Sequence, residues 1–307
     1  MQRVTRDKLA VAFDRRLSPV AWVKPGEVFI VETDDCRTGA TRTPETTTPE
    51  FLLAMRERGW HGNPVTGPIY VEGAEPGDAL AVTIHDIECD DLGFMPYWPF
   101  LFHLEDFFTE PRTELVSITD GHVHLDGVPP IPVRPMIGTL GVAPAIEVIL
   151  SGGMGSHGGN LDAEEVCKGS TIYLSVFVEG ALLALGDAHA VQSDGELGSV
   201  EMRSVVTLSC EVIKIHGKAM PWPRIETADS IVTVAVGRPL EDALRSALRN
   251  MILWLEGAYG MSKHEAYLLI GAAGHARPGQ AQVGLFSMRC IVPKAYLPAS
   301  PARYELT

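Results

Sequence analysis

Short runs of alternating apolar and polar residues, cut at close intervals by proline and glycine, exclude a helical fold for most of this chain. Residues 79–87 read Ala-Leu-Ala-Val-Thr-Ile-His-Asp-Ile after a Pro-Gly-Asp turn, and residues 200–217 and 230–237 alternate in the same manner. A period of two sends successive side chains to opposite faces of a strand. The 22 prolines and 30 glycines among 307 residues suit many short strands joined by tight turns. The period changes only late. Leu240, Ala243, Leu244, Ala247, Leu248, Met251, Ile252 and Leu255 line one helical face, with Pro239 in the first turn and Gly257 as the expected stop. Ser262 and Glu265 spell a capping box that opens a second helix, and residues 51–58 read as a short earlier one. The expected fold is mainly β (α+β overall), a sandwich or barrel with a smaller C-terminal α+β part carrying two helices. Residues 1–145 form the N-terminal β part. Residues 146–307 carry the site and the C-terminal helices, and the two parts make one compact unit.

Charge and cysteine usage narrow the function. A formal charge of −14 argues against nucleic-acid binding, which relies on clustered Lys and Arg. Glu179 and Gly180 interrupt the most apolar stretch, so no membrane span is expected. The opening MQRVTRDKLAVAFDRR has too short an apolar run for a signal peptide. Five cysteines, an odd count without C-x-x-C spacing, read as reduced thiols in a cytoplasmic protein. Cys167 reads as a buried, inert thiol.

The chemistry concentrates between residues 152 and 196. Gly-Gly-Met-Gly-Ser-His-Gly-Gly-Asn-Leu-Asp precedes an apolar strand, which runs into Gly-Asp-Ala-His-Ala-Val-Gln-Ser-Asp-Gly-Glu. Two residues apart on a strand, Asp187 and His189 share a face. A hairpin of 186–190 with 193–197 would pair Asp187 with Glu196 and His189 with Asp194. Three carboxylates and an imidazole so close repel one another without a cation, and mixed nitrogen and oxygen ligation suits zinc. Asp35, Asp162, Asp187 and His189 are the candidate metal ligands. Such an ion would lower the pKa of a bound water. Glu196 or Asp194 would move the proton. Backbone N–H groups of Gly158, Gly159 and Asn160, or the Asn160 amide, would face an oxyanion. Glu32 and His157 join Gly158 and Gly159 as candidate substrate contacts. Glu32 and Asp35 close a strand at 28–31, where a solvated turn is the plainer reading.

Other patterns point elsewhere. Residues 153–158 spell G-x-G-x-x-G, the mark of a nicotinamide-dependent oxidoreductase, but the helix that it must open has no room. His122-Val-His124 resembles a metallohydrolase H-x-H, yet it sits between Asp-Gly turns in an expected hairpin. Phe94, Tyr97, Trp98, Phe100, Phe102, Phe107 and Phe108 are either a loop over the core or the apolar wall of a pocket. A non-catalytic β protein stapled by metal is a further alternative.

Several long segments carry a resemblance. GPIYVEGAEPGDAL (67–80), RPMIGTLGVAP (134–144), HGGNLD (157–162), VFVEGALLALGDAHAVQSDGE (176–196) and SKHEAYLLIGAAG (262–274) occur in this order, with V-E-T-x-D-C at 31–36. They resemble the acetamidase/formamidase family. The resemblance implies a jelly-roll-like β-sandwich core with an α+β C-terminal part. It also implies hydrolysis of short linear or cyclic amides and a divalent metal, Zn2+ first, with Ca2+ as a second, structural ion. The matching polar positions are Glu32, Asp35, Asn160, Asp162, Asp187, His189, Asp194 and Glu196. The expected partner is a small-molecule amide, and the expected assembly is a homo-dimer or higher homo-oligomer through the two-helix unit. Gly274-His275-Ala276 departs from the family pattern and bears on substrate identity.

Overall fold

The computed structural model describes residues 1–58, 62–97, 104, 106–215, 220–282 and 284–298. It is mainly β, and nineteen strands among the described residues belong to one connected, curled sheet. The strands that place the site are β1 (Val28–Thr33), β2 (Val65–Val71), β3 (Ala79–Tyr97), β4 (Met136–Gly141), β5 (Gly158–Asn160), β6 (Leu183–Gln192), β7 (Ser199–Ile213), β8 (Ser230–Gly237), β9 (His275–Pro278) and β10 (Phe286–Pro293). The α-helices among the described residues are α1 (Pro49–Glu57), α2 (Leu240–Tyr259) and α3 (Lys263–Ala273).

β7 is the spine. It pairs antiparallel with β3 from Glu201↔Phe94 to Ile213↔Ala79. Its other edge takes β1 over 204–209 and, at its start, β6 through Ala188↔Met202 and His189↔Glu201. Residues 1–145 and 146–307 therefore contribute neighbouring strands to one sheet. The inward side chains of β7 (Val206, Leu208, Cys210) are buried with Phe29, Val31, Leu80, Val82 and Ile84. Strand alternation produces this face directly.

α2 buries Ala243, Ala247, Met251, Trp254, Leu255 and Ala258, spaced at about one or two turns. That stripe packs on Ile231 and Ala235 of β8 and on Met288, Cys290 and Val292 of β10. The helix does not stop at Gly257. It runs to Tyr259 and ends on Gly260, whose φ of 65° makes the left-handed cap. A helix end needs that conformation, and the stop falls on the glycine that adopts it. Ser262 accepts from the Glu265 amide and its own N–H donates back to the Glu265 carboxylate, completing the expected capping box. His122–His124 is a strand beyond a left-handed Asp120–Gly121 turn, as the sequence suggests. No described helix is long and apolar enough to cross a membrane.

Candidate active site

The expected hairpin of 186–190 with 193–197 does not form. β6 continues to Gln192 and the chain turns over 193–198 before β7 begins. The residue opposite His189 is therefore Glu201, not Asp194. Antiparallel partners of this kind carry their side chains on the same face. The His189 Nε2 lies 3.1 Å from Glu201 Oε1 and 3.6 Å from Asp187 Oδ1. Asp162 and Glu196 complete a buried group in which one ligand atom from each of Asp162, His189 and Glu196 lies within 4.8 Å of the others. Cys36, Asp187 and Glu201 form an adjoining trio under the same limit.

Hydrogen bonds fix this cluster from outside. Gln192 Nε2 donates to the Asp162 carbonyl at 2.8 Å, so its Oε1, 2.8 Å from His189 Nδ1, is an acceptor. Nδ1 must then carry a proton, which turns Nε2 to the cluster as the remaining ligand atom. Asn160 Nδ2 donates to Asp162 Oδ2 at 2.8 Å. Its Oδ1 accepts from Asn63 and Thr139, both at 2.6 Å, and the same two residues donate to Asp187 Oδ2. Ser199 Oγ donates to Glu201 Oε1 at 2.6 Å, and the Cys36 thiol also hydrogen-bonds Glu201. Asn63, Asp162, Asp187 and Glu196 hold φ values of 44°, 47°, 58° and 48°. Left-handed backbone is costly for such residues and persists where surroundings enforce it, commonly at functional sites.

Four carboxylates and one imidazole in a buried space perturb each other. Burial, then Glu196 and Asp187, hold Asp162 well above the usual carboxylate range. Burial, then Glu201, raises Asp187, and burial pushes Glu196 up to about 7. Burial alone would lower His189, but Glu201 and Asp187 outweigh it and hold the imidazole well above its ordinary value. Burial would likewise raise Glu201, yet His189 and the hydrogen bonds from Ser199 and Cys36 leave it lowered. Asp162 Oδ1, Glu196 Oε2 and Glu201 Oε2 are buried without a hydrogen-bond donor. Such acceptors need a proton or a cation.

The other expected site residues lie elsewhere. Asp194 turns to Arg289 and Arg277, because the turn that carries it packs on β9 and β10. Glu32 pairs with Arg3 and Arg6 on the side of β1 away from Thr33. Asp35 is fully buried and Oδ1 accepts the amides of Arg37 and Gly39 at 2.9 Å. It shapes the turn that presents Cys36, and burial raises it to about 6. Gly158 and Gly159 are not an open loop. They form β5 between β4 and the Met154–Gly155 strand, where a Cβ would stand 2.3 Å from the Leu140 carbonyl or 2.2 Å from that of Gly153. The Asn160 N–H is occupied by the Gly153 carbonyl at 3.0 Å. This pairing, and the absence of a helix over 162–168, remove the structure that a dinucleotide fingerprint requires. Phe94 is buried, with the Arg37 guanidinium 4.7 Å above its ring, and Tyr97 meets Phe108 edge-on at 4.8 Å. Trp98, Phe100 and Phe102 lie outside the described residues. A cavity of about 620 Å³ lined by Arg134, Glu164, Glu165, Cys167, Lys168 and Arg277, among others, includes none of the cluster residues.

His157 packs edge-on against Phe13 at 4.9 Å and neither ring nitrogen has a hydrogen-bond partner. Burial pushes it down from 6.5 to about 4. Between those values the unfolded chain binds a proton that the folded chain refuses, so stability rises with pH. Roughly 3 kcal/mol should be lost as pH falls from 6.5 to 4. Urea midpoints of His157→Leu should lose that part of the pH slope, and an unaltered slope would refute the assignment.

Residues 6–153 and 151–283 match the model of the Acetamidase/Formamidase family. The chain belongs to the acetamidase/formamidase family. It is an amidase, a hydrolase of amide bonds. The chain is 26% identical to the acetamidase of Mycolicibacterium smegmatis over 82% of each sequence. It also resembles the solved acetamidase of Bacillus halodurans, with 35% identity, a TM-score of 0.88, and 96% and 98% of the two chains covered. A predicted acetamidase/formamidase of Thermoanaerobacter tengcongensis superposes equally well, at 34% identity over 96% of each chain. The fold of this family member thus puts Asp162, His189, Glu196 and Glu201 in one buried space, of which Glu201 carries no sequence signal beyond its place opposite His189.

Proposed function

We propose that the enzyme is metal-dependent and hydrolyses the C–N bond of a short aliphatic or cyclic amide, giving a carboxylate and ammonia or an amine. The observation that carries this reading is the set of buried acceptors without donors on Asp162 and Glu196, gathered around His189. Two carboxylates and one imidazole are ligand types that zinc takes, and three protein ligands leave its fourth position open for water. Asp162, His189 and Glu196 would hold the ion, which when bound supplies a Lewis acid and lowers the pKa of water.

The remaining work falls to the chain. Gln192 keeps the proton of His189 on Nδ1. Asn63, Thr139 and Asn160 aim the carboxylates of Asp162 and Asp187. Glu201 Oε2 accepts a proton from the attacking water and returns it to the amide nitrogen, which leaves only when protonated. The Cys36, Asp187 and Glu201 trio offers a thiol, a poor partner for a hard cation such as Ca2+. The same reading keeps the protein cytoplasmic and homo-oligomeric. Support for the compartment is that no described cysteine is in a disulfide.

The test is zinc content together with ammonia release from formamide and acetamide and ring opening of a γ-lactam to its amino acid. His189→Ala should reduce both by at least about 100-fold with circular dichroism unchanged. A variant that kept its zinc and its turnover would defeat the reading.

A further inference from the structure

A strand from the C-terminal part fastens both loops that carry the Asp162 and Glu196 carboxylates. Ser287 and Arg289 sit two residues apart on β10, hence on one face. Ser287 Oγ donates to the Leu161 carbonyl at 2.6 Å, just before Asp162. The Arg289 side chain is 0% exposed. Its Nη1 donates to both carboxylate oxygens of Glu165, at 3.0 and 2.9 Å. Its Nη2 donates to Asp194 and, at 2.9 Å, to the Pro278 carbonyl. One guanidinium thus grips the loop that follows Asp162 and the turn that leads into Glu196.

The turn is docked on the same support. The Gly195 N–H donates to Pro278 and the Ala281 N–H donates to Gly195, both at 3.0 Å. On the other side, a Cβ at Gly279 would stand 2.4 Å from Ser287 Oγ and 2.7 Å from the Leu161 carbonyl, so loop and strand are in direct contact. Asp162 and Glu196 crowd each other in a buried space, and among the contacts that hold their loops together is a cation whose own partners, Glu165 and Asp194, stand outside the cluster.

We propose that Arg289 is a positioning residue for hydrolysis, its bridge from Glu165 to Asp194 fixing the separation of the Asp162 and Glu196 carboxylates. This rests on the reading that those carboxylates form the reactive centre. Arginine is required because two carboxylates must be met at once by different nitrogens of a rigid planar fork. A lysine ammonium on its flexible stem is one point charge and cannot reach both.

The test compares Arg289→Lys, Asp194→Asn and Glu165→Gln. Zinc affinity is measured by competition with a chromophoric chelator, and kcat and KM are measured with acetamide. Arg289→Lys should weaken zinc binding by about 10-fold and lower kcat by about 10- to 100-fold, with KM within about 3-fold because the Arg289 side chain is fully buried among Glu165, Asp194 and Pro278. Asp194→Asn should give a smaller loss, and the double variant Arg289→Lys with Asp194→Asn should be no worse than Arg289→Lys alone. A folded Arg289→Lys with wild-type zinc affinity and kcat would overturn the proposal. If Arg289→Lys does not fold, Asp194→Asn and Glu165→Gln decide. Loss of zinc affinity and kcat in both supports the bridge, and wild-type values in both refute it. Failure of the functional reading looks different: the wild type would then turn over no amide, and His189→Ala would bind zinc normally.

Discussion

Glu201→Gln should leave a folded protein that turns amides over at least about 100-fold more slowly. The substitution keeps the shape of the side chain, and the amide oxygen can still accept from Ser199. What it removes is the charge beside His189 Nε2 at 3.1 Å and the only atom of that side chain free to take up a proton, Oε2. Loss of a positioned acid–base group costs about 10²–10⁴ in rate. KM should move little, because proton transfer matters in the transition state. Steady-state ammonia release from acetamide is the measurement, with thermal unfolding as the control for folding. If kcat fell less than about 3-fold, Glu201 would be no more than a support for His189.

Gly138→Ala should abolish the site with one methyl group. A Cβ there would stand 2.4 Å from Asp162 Oδ1 and 3.0 Å from both the carbonyl and Oδ2 of Asp187. None of those atoms is the loose end of a flexible chain. Asp162 is held by Asn160 and Asp187 by Asn63 and Thr139. Relief would require moving two candidate site carboxylates, at an overpacking cost of about 1–3 kcal/mol. Zinc binding and turnover should each fall at least about 100-fold while a lowered but cooperative melting transition persists. Gly271→Ala is the control, since nothing lies within 4 Å of its Cβ position and alanine favours a helix interior. Normal zinc binding in Gly138→Ala would show that the cluster tolerates the displacement and is not a tight ligand set.

Alternation and capping made most of the fold readable. The residues 230–237 match β8, and the S-x-x-E at Ser262 opens α3. The two polar clusters flanking the apolar strand do meet, with Asp162, His189 and Glu196 in one group, although the hairpin expected to bring Glu196 there does not form. Register was harder. Whether His189 meets Asp194 or Glu201 depends on where β6 ends, and a turn over 193–198 reads no differently from one over 190–193. Glu201 lies between Val200 and Met202 in an alternating run, the pattern of an outward-facing charge. Asp194 looked like a site acid because its partner Arg289 is 95 residues away. Glu32 was misleading for the same reason, its arginines lying in the N-terminal segment. Pair contacts of long sequence separation leave no trace in periodicity.

The reach of β10 has a consequence for synthesis. Every residue of the buried cluster has left the ribosome once Glu201 has emerged, but the loops around Asp162 and Glu196 gain the contacts of Ser287 and Arg289 only when β10 follows. A nascent chain therefore holds the acidic residues long before it can hold them in place. Domains generally fold as units once their chain is available. Translation must run nearly to the end of this one before a competent pocket can close, and products stalled or cleaved ahead of residue 286 should accumulate as inactive protein.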